Sequence, residues 1–193
     1  MDTLLDIAGL LLGFLPWILF LFLPTGGFEP LRRAVLICLA ASIVFSLKAL
    51  RQRFILQWTT AGFFLFCAIA FYGFRWIWLA THMSVIANLV LDGIIWLTIL
   101  AGKPFTMQYA QAEAPPEVWN TDAFIRGCRS IAIFWGALLL VPTAFSIFRI
   151  FRPTALSDAF YFFLTIFCMV FGVAATTLFK RMKRGRRLAM NRQ

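Results

Sequence analysis

Along this chain, apolar stretches long enough to cross a hydrocarbon layer alternate with short clusters of Arg and Lys. The last stretch runs into Lys180-Arg181-Met182-Lys183-Arg184-Gly185-Arg186-Arg187. The apolar runs show no period of two, so they do not read as the strands of a barrel. A backbone inside a bilayer must satisfy its own hydrogen bonds, which leaves helices for runs of this kind. The pattern predicts an all-α polytopic bundle of six transmembrane helices, at about 4–23, 31–50, 54–74, 76–100, 125–148 and 157–179, followed by a basic tail, 180–193. Pro24-Thr25-Gly26-Gly27 closes the first helix, because this turn chemistry does not prolong one. The second has a short clean apolar part between Arg32 and Arg33 at one end and Lys48 at the other, so its charges are expected to snorkel to both interfaces. Only an aromatic, singly charged knot, Tyr72-Gly73-Phe74-Arg75-Trp76 with Trp78, separates the third from the fourth, and amphipathic rings of this sort settle at headgroup level. A five-span version, with 54–100 imperfectly divided, is the alternative.

The basic residues set the orientation. One side collects Lys48, Arg51, Arg53, Lys103, Arg126, Arg129 and the whole tail, while the other holds Arg32, Arg33, Arg75, Arg149 and Arg152. Lys and Arg accumulate on the cytoplasmic side, so both termini are expected to be cytoplasmic. Asp2 and Asp6 stand where a secretory signal would carry positive charge, and the first helix is expected to stay uncleaved.

Composition narrows the partners. Of the 193 residues 62% are hydrophobic, and the net charge of +10 comes from residues at the ends of apolar spans rather than along a soluble face. The expected partners are anionic phospholipids, with Lys180, Arg181, Lys183, Arg184, Arg186 and Arg187 as headgroup contacts, and not nucleic acid. Cys38, Cys67, Cys128 and Cys168 show no C-x-x-C spacing and read as reduced packing residues, with no disulfide framework and no zinc site.

Candidate chemistry is sparse. Asp92 lies inside the fourth span, where a carboxylate is costly and usually faces the bundle or a water-filled cavity. Thr81, Ser84, Asn88 and Asp92 recur at spacings of three and four, which places them on one stripe of that helix. This stripe reads as a polar path for a proton, cation or lipid headgroup, or as interhelical hydrogen bonding that holds the bundle together. His82 is the one histidine, and a b-type haem normally takes a pair, so no cofactor is expected. Arg75 is a candidate fork for a lipid phosphate or an anchor at the membrane boundary. No Ser/His/Asp set, paired carboxylates or phosphate loop is present in the pattern.

Packing signals are clearer. Gly9 with Gly13, and Gly172 with Thr176, are small-x-x-x-small pairs that let helices approach closely, either as internal seams or as a homodimer face, the latter above all through Gly9 and Gly13. Pro16 and Pro142 fall inside spans and should kink them. The one long hydrophilic segment, 102–122, mixes prolines and aromatics. It is expected either to lie at the interface with Phe105, Tyr109 and Trp119 dipping into lipid, or to form a docking loop through Lys103, Pro104, Phe105, Tyr109 and Trp119. Asn120 or Thr121 should cap the helix that follows.

Phe14-Leu15-Pro16 near the start, Lys48-Ala49-Leu50-Arg51-Gln52-Arg53 before the third helix, Gly102-Lys103-Pro104 after the fourth and a tryptophan before the fifth resemble the intracellular septation protein A (YciB-like) family of bacterial inner-membrane proteins. The likeness is one of order and spacing over nearly the whole chain. It implies a noncatalytic role in the cell envelope, tied to septation, envelope synthesis or lipid homeostasis, through contacts with division and peptidoglycan-elongation proteins. The family has no established catalytic residues to place here, and this chain departs from it in its extended 102–122 segment and basic tail. Two further readings stay open: a small transporter or lipid-handling protein using the Thr81–Asp92 stripe, and a membrane enzyme acting on a lipid or isoprenoid, which would need Arg75, His82 and Asp92 to converge.

Overall fold

The computed structural model describes residues 14–45, 47–52 and 54–190. Among these the secondary structure is helical throughout: α1 (14–22), α2 (Phe28–Val44), α3 (Leu47–Arg51), α4 (Ile55–Tyr72), α5 (Ile77–Thr81), α6 (Met83–Leu100), α7 (Phe105–Glu113), a 3-10 turn (Pro116–Val118), α8 (Asp122–Phe151) and α9 (Asp158–Met190). Four of the described helices are long and apolar enough to cross a membrane: α4, α6, α8 and residues 158–179 of α9. Gly9 and Gly13 lie outside the described residues, as do the side chains of the basic tail from Lys180 onward.

The outer surface is apolar. Phe163, Phe167 and Leu97 are more than 60% exposed, in company with many other large hydrophobic side chains. A protein in water hides such groups; helices that present them along their length are solvated by lipid.

Several boundaries differ from the sequence expectation. The second helix stops at Val44, and Leu47–Arg51 forms a separate turn of helix. The fourth is broken at His82, where Trp78 O keeps the His82 N–H at 3.3 Å and also takes the Thr81 hydroxyl at 2.9 Å, with His82 Nδ1 2.9 Å from the same oxygen. Such local bonds compete with the helical ladder. Conversely, α8 runs unbroken through Pro142. The sixth helix continues past Phe179 into the tail as far as Met190.

Two tryptophan–threonine bonds tie the bundle. Trp17 on α1 donates its indole N–H to Thr60 Oγ1 on α4 (2.9 Å), and Thr60 passes its own proton to Leu56 O (2.7 Å). Trp135 on α8 does the same to Thr176 on α9 (3.0 Å), which donates to Gly172 O (2.8 Å). Phe14 stacks on Trp135 at 5.1 Å while Trp17 stacks on Phe63 at 5.4 Å, so one turn of α1 joins the α4 side of the core to the α8 side. Glycines make room for the rings. A Cβ at Gly136 would stand 2.9 Å from Trp96, and one at Gly172 would stand 2.8 Å from Trp135. The Gly172/Thr176 pair is thus an internal seam between α8 and α9.

The hydrophilic segment folds back as α7 and clamps one end of the bundle. At the end of α6, Gly102 takes φ +73, Gly102 N–H bonds Ile99 O and Lys103 N–H bonds Thr98 O, a Schellman ending that turns the chain inward. Phe105 N–H then bonds Thr98 Oγ1 (3.2 Å), and Thr106 Oγ1 donates to Cys128 O on α8 (2.7 Å). Gln108 Oε1 accepts from Ile55 N–H, filling one of the orphan donors at the start of α4 (2.9 Å). Thr121 caps α8, accepting from Phe124 N–H.

The Gly172 seam gives a direct test. Gly172→Val should destabilise the protein by about 1–3 kcal/mol through overpacking against Trp135. Gly93→Ala, whose added methyl meets nothing within 4 Å, should leave stability unchanged or slightly raised, since glycine weakens a helix by roughly 0.5–1 kcal/mol. Thermal unfolding in detergent reads both; equal losses in the two variants would refute the seam.

Candidate functional site

At the end of the bundle away from α7, the end of α1, the start of α6, the end of α8 and the start of α9 enclose a cavity of about 450 Å³. Its polar lining comes from Thr25, Ser84 and Asn88, from Ser146 and Arg149 on α8, and from Asp158, Tyr161 and Thr165 on α9. An adjoining cavity of about 420 Å³ shares Thr25, Ser84, Ser146 and Arg149 and adds Thr81 and His82.

Helical spacing brings these groups together. Ser84 and Asn88 are one turn apart on α6, Ser146 and Arg149 nearly so on α8, and Asp158, Tyr161 and Thr165 follow one face of α9. Arg149 and Asp158 flank the short α8–α9 connection and form an ion pair, with their side chains 39% and 84% exposed. The Arg149 guanidinium also lies over the Tyr161 ring, 5.0 Å from its centre, a cation–π contact that fixes its direction. Ser146 Oγ donates to Thr143 O (2.7 Å) and Thr165 Oγ1 to Tyr161 O (2.9 Å). Both hydroxyls therefore keep lone pairs to offer the cavity. The Tyr161 hydroxyl is buried and has no hydrogen-bond partner among the described residues.

The polar stripe of the fourth span is divided by this geometry. Ser84 and Asn88 reach the larger cavity and Thr81 the adjoining one. Asp92 is 4% exposed and lines neither cavity; its carboxylate and the Trp96 indole N–H one turn on are buried beside each other. Neither of these two cavities reaches along the stripe as far as Asp92. Arg75 sits in the exposed α4–α5 turn with φ +47 and lines neither cavity, so Arg75, His82 and Asp92 do not converge. His82 stacks on Trp78 at 4.6 Å with Nδ1 engaged on the backbone. Among the described residues no three His, Cys, Asp or Glu side chains cluster closely enough to hold a metal.

The docking segment needs correction. Phe105 is fully buried, with its ring edge-on to Phe14, and Pro104 is buried beside it. Neither dips into lipid nor faces a partner. Tyr109 packs edge-on to Phe54 at 5.0 Å and accepts from Gln57 Nε2 at 2.6 Å. Lys103 is exposed, and half-buried Trp119 donates its indole N–H to Ala114 O. The core packing of α7 outweighs its hydrophilic composition.

No protein-family model matches this chain, and neither a curated protein nor a solved structure is significantly similar to it.

Burial at the α7 clamp pushes the Tyr109 phenol up from 10.0 to about 12, an effect the Gln57 bond partly offsets. The folded protein then keeps a proton that the unfolded chain releases near 10, so stability falls as pH rises from about 10 through about 12. Tyr109→Phe should remove this portion of the alkaline loss, measured as the pH dependence of thermal unfolding in detergent. An unchanged alkaline profile in the variant would contradict the buried phenol.

Proposed function

We propose that this chain is a six-span protein of a bacterial inner membrane, with both termini cytoplasmic, that acts without covalent chemistry by holding a membrane amphiphile in the cavity between α1, α6, α8 and α9. The sequence's apolar run at about 4–23 and the 17-residue α2 are the candidates for the two spans beyond the four long helices. Lys103, Arg126 and Arg129 cluster at the α7 end, which supports a cytoplasmic position for that end and an outer position for the cavity.

The observation that carries the reading is the placement of Arg149. A guanidinium fork, hydroxyls and an amide face a space walled elsewhere by Trp17, Phe20, Leu21 and Met169. Pockets with a few convergent polar groups on apolar walls suit small amphiphiles. Thr81 Oγ1 and His82 Nδ1 lie 3.0 Å apart, but the Thr81 hydroxyl gives its proton to Trp78 O and not to the imidazole, so the pair is not set as a nucleophile with its base. Binding, rather than group transfer, is what these side chains are disposed to do. A part in septation or envelope synthesis rests on the resemblance in order and spacing and on no feature of the cavity.

Filling the cavity tests this. Thr165→Trp should lower binding of a fluorescent phospholipid to the purified protein by about tenfold, a difference of roughly 1.4 kcal/mol, with helix content unchanged. Asp92→Asn, outside the cavity, should leave binding as it was. Wild-type binding in Thr165→Trp, or loss in Asp92→Asn alone, would overturn the assignment in favour of a path through α6.

A further inference from the structure

The polar cavity does not end in a wall. Leu21 and Met169 line it and also line a second, almost wholly apolar cavity of about 420 Å³ between α1 and α9, floored by Phe14 and Trp135 and edged by Ala174. This groove runs from Phe22 back to Phe14 on α1 and from Ile166 to Ala174 on α9. At about 1.5 Å of rise per residue it is ~12 Å long, close to the roughly 15 Å of hydrocarbon in one leaflet. Its polar end is the Arg149 end, because Asp158, Tyr161 and Thr165 precede Ile166 on α9 and Thr25 follows Phe22 in the turn after α1. A cation at one mouth and a dry slot leading away from it reproduce the layout of a single lipid.

Resting on the amphiphile-binding reading, we infer that the occupant is a glycerophospholipid, its phosphate held by Arg149 in place of Asp158 and one acyl chain laid along the α1–α9 groove. Charge complementarity selects the headgroup. Asp158 presents Arg149 with a carboxylate from a side chain that is mostly exposed, and an exposed ion pair of this kind is weak. A phosphate offers the same fork more acceptor oxygens in a setting partly shielded by lipid. Asp158 is thus a built-in competitor that occupies Arg149 until a phosphate displaces it. The Tyr161 ring beneath the guanidinium carries a buried hydroxyl that has no hydrogen-bond partner among the described residues.

Native mass spectrometry of the full-length protein, stripped of lipid in detergent, tests the assignment with phosphatidylglycerol and with diacylglycerol of the same chains. Phosphatidylglycerol should bind about tenfold more tightly. Arg149→Gln should abolish that difference, and Asp158→Asn should strengthen phosphatidylglycerol binding, a gain that a purely structural ion pair would not give. Ala174→Trp, which covers the groove from an exposed position, should weaken both lipids alike, with helix content by circular dichroism confirming that each variant is folded. Persistent preference for phosphatidylglycerol in Arg149→Gln, weaker binding in Asp158→Asn, or displacement of the lipid by millimolar inorganic phosphate would overturn the proposal. If the two lipids bound equally and Thr165→Trp still blocked both, amphiphile binding would stand and the phosphate assignment would fall. Indifference to Thr165→Trp would remove both.

Discussion

An indole N–H buried among hydrocarbon has no water to turn to, and the arrangement of this bundle follows from how two of them are satisfied. Trp17 and Trp135 each donate to a threonine hydroxyl that is itself anchored on the carbonyl one turn earlier in its helix. A hydroxyl can donate to its own helix and still accept from the next, so the pairing leaves no donor orphaned. In membranes such a bond contributes about 1 kcal/mol, less than the ring packing around it. Its importance is directional: it fixes which face of α4 meets α1 and which face of α9 meets α8. Phe14, stacked on Trp135 one turn from Trp17, makes the two bonds parts of one core.

That construction leaves α9 held along one seam. Trp135 enters the notch at Gly172, and most of the remaining surface of α9 faces outward, as Phe163, Phe167 and Val170 show. Toward its start the helix meets α1 through the Phe22–Phe162 ring pair, and beside that contact Asp158, Tyr161 and Thr165 line the cavity. The α7 clamp closes the opposite end with Phe105, Thr106 and Gln108. One end is therefore sealed by side-chain and backbone bonds while the other opens onto an ion pair. This asymmetry, more than any single residue, is what makes ligand binding at the Arg149 end physically reasonable.

Much of the helical architecture was legible in the sequence. The third and fifth apolar runs lie within a few residues of Ile55–Tyr72 and Asp122–Phe151. The break at His82 was hidden because it uses neither proline nor glycine; the Thr81 and His82 side chains gather on Trp78 O beside its helical bond. The segment after Gly102 was misread because composition favours an interfacial or docking role, whereas Phe105 and Tyr109, four residues apart, form an inward face. Half of the cavity was visible as Ser84 and Asn88 on the polar stripe. The other half was not: Arg149 counted only toward orientation. The recurrence of Asp158, Tyr161 and Thr165 at helical spacing was the available signal for α9. Asp92 drew attention because a buried carboxylate is costly, yet cost alone does not place a residue in a cavity.

The most direct measurement is a high-resolution structure of the protein in phospholipid nanodiscs. The account predicts headgroup density against the Arg149 guanidinium, the Asp158 carboxylate turned away, and a continuous rod of acyl density between α1 and α9 ending near Trp135. A groove closed by direct packing of α9 on α1, with Arg149 still paired to Asp158 and lipid ordered only around the outside of the bundle, would contradict it.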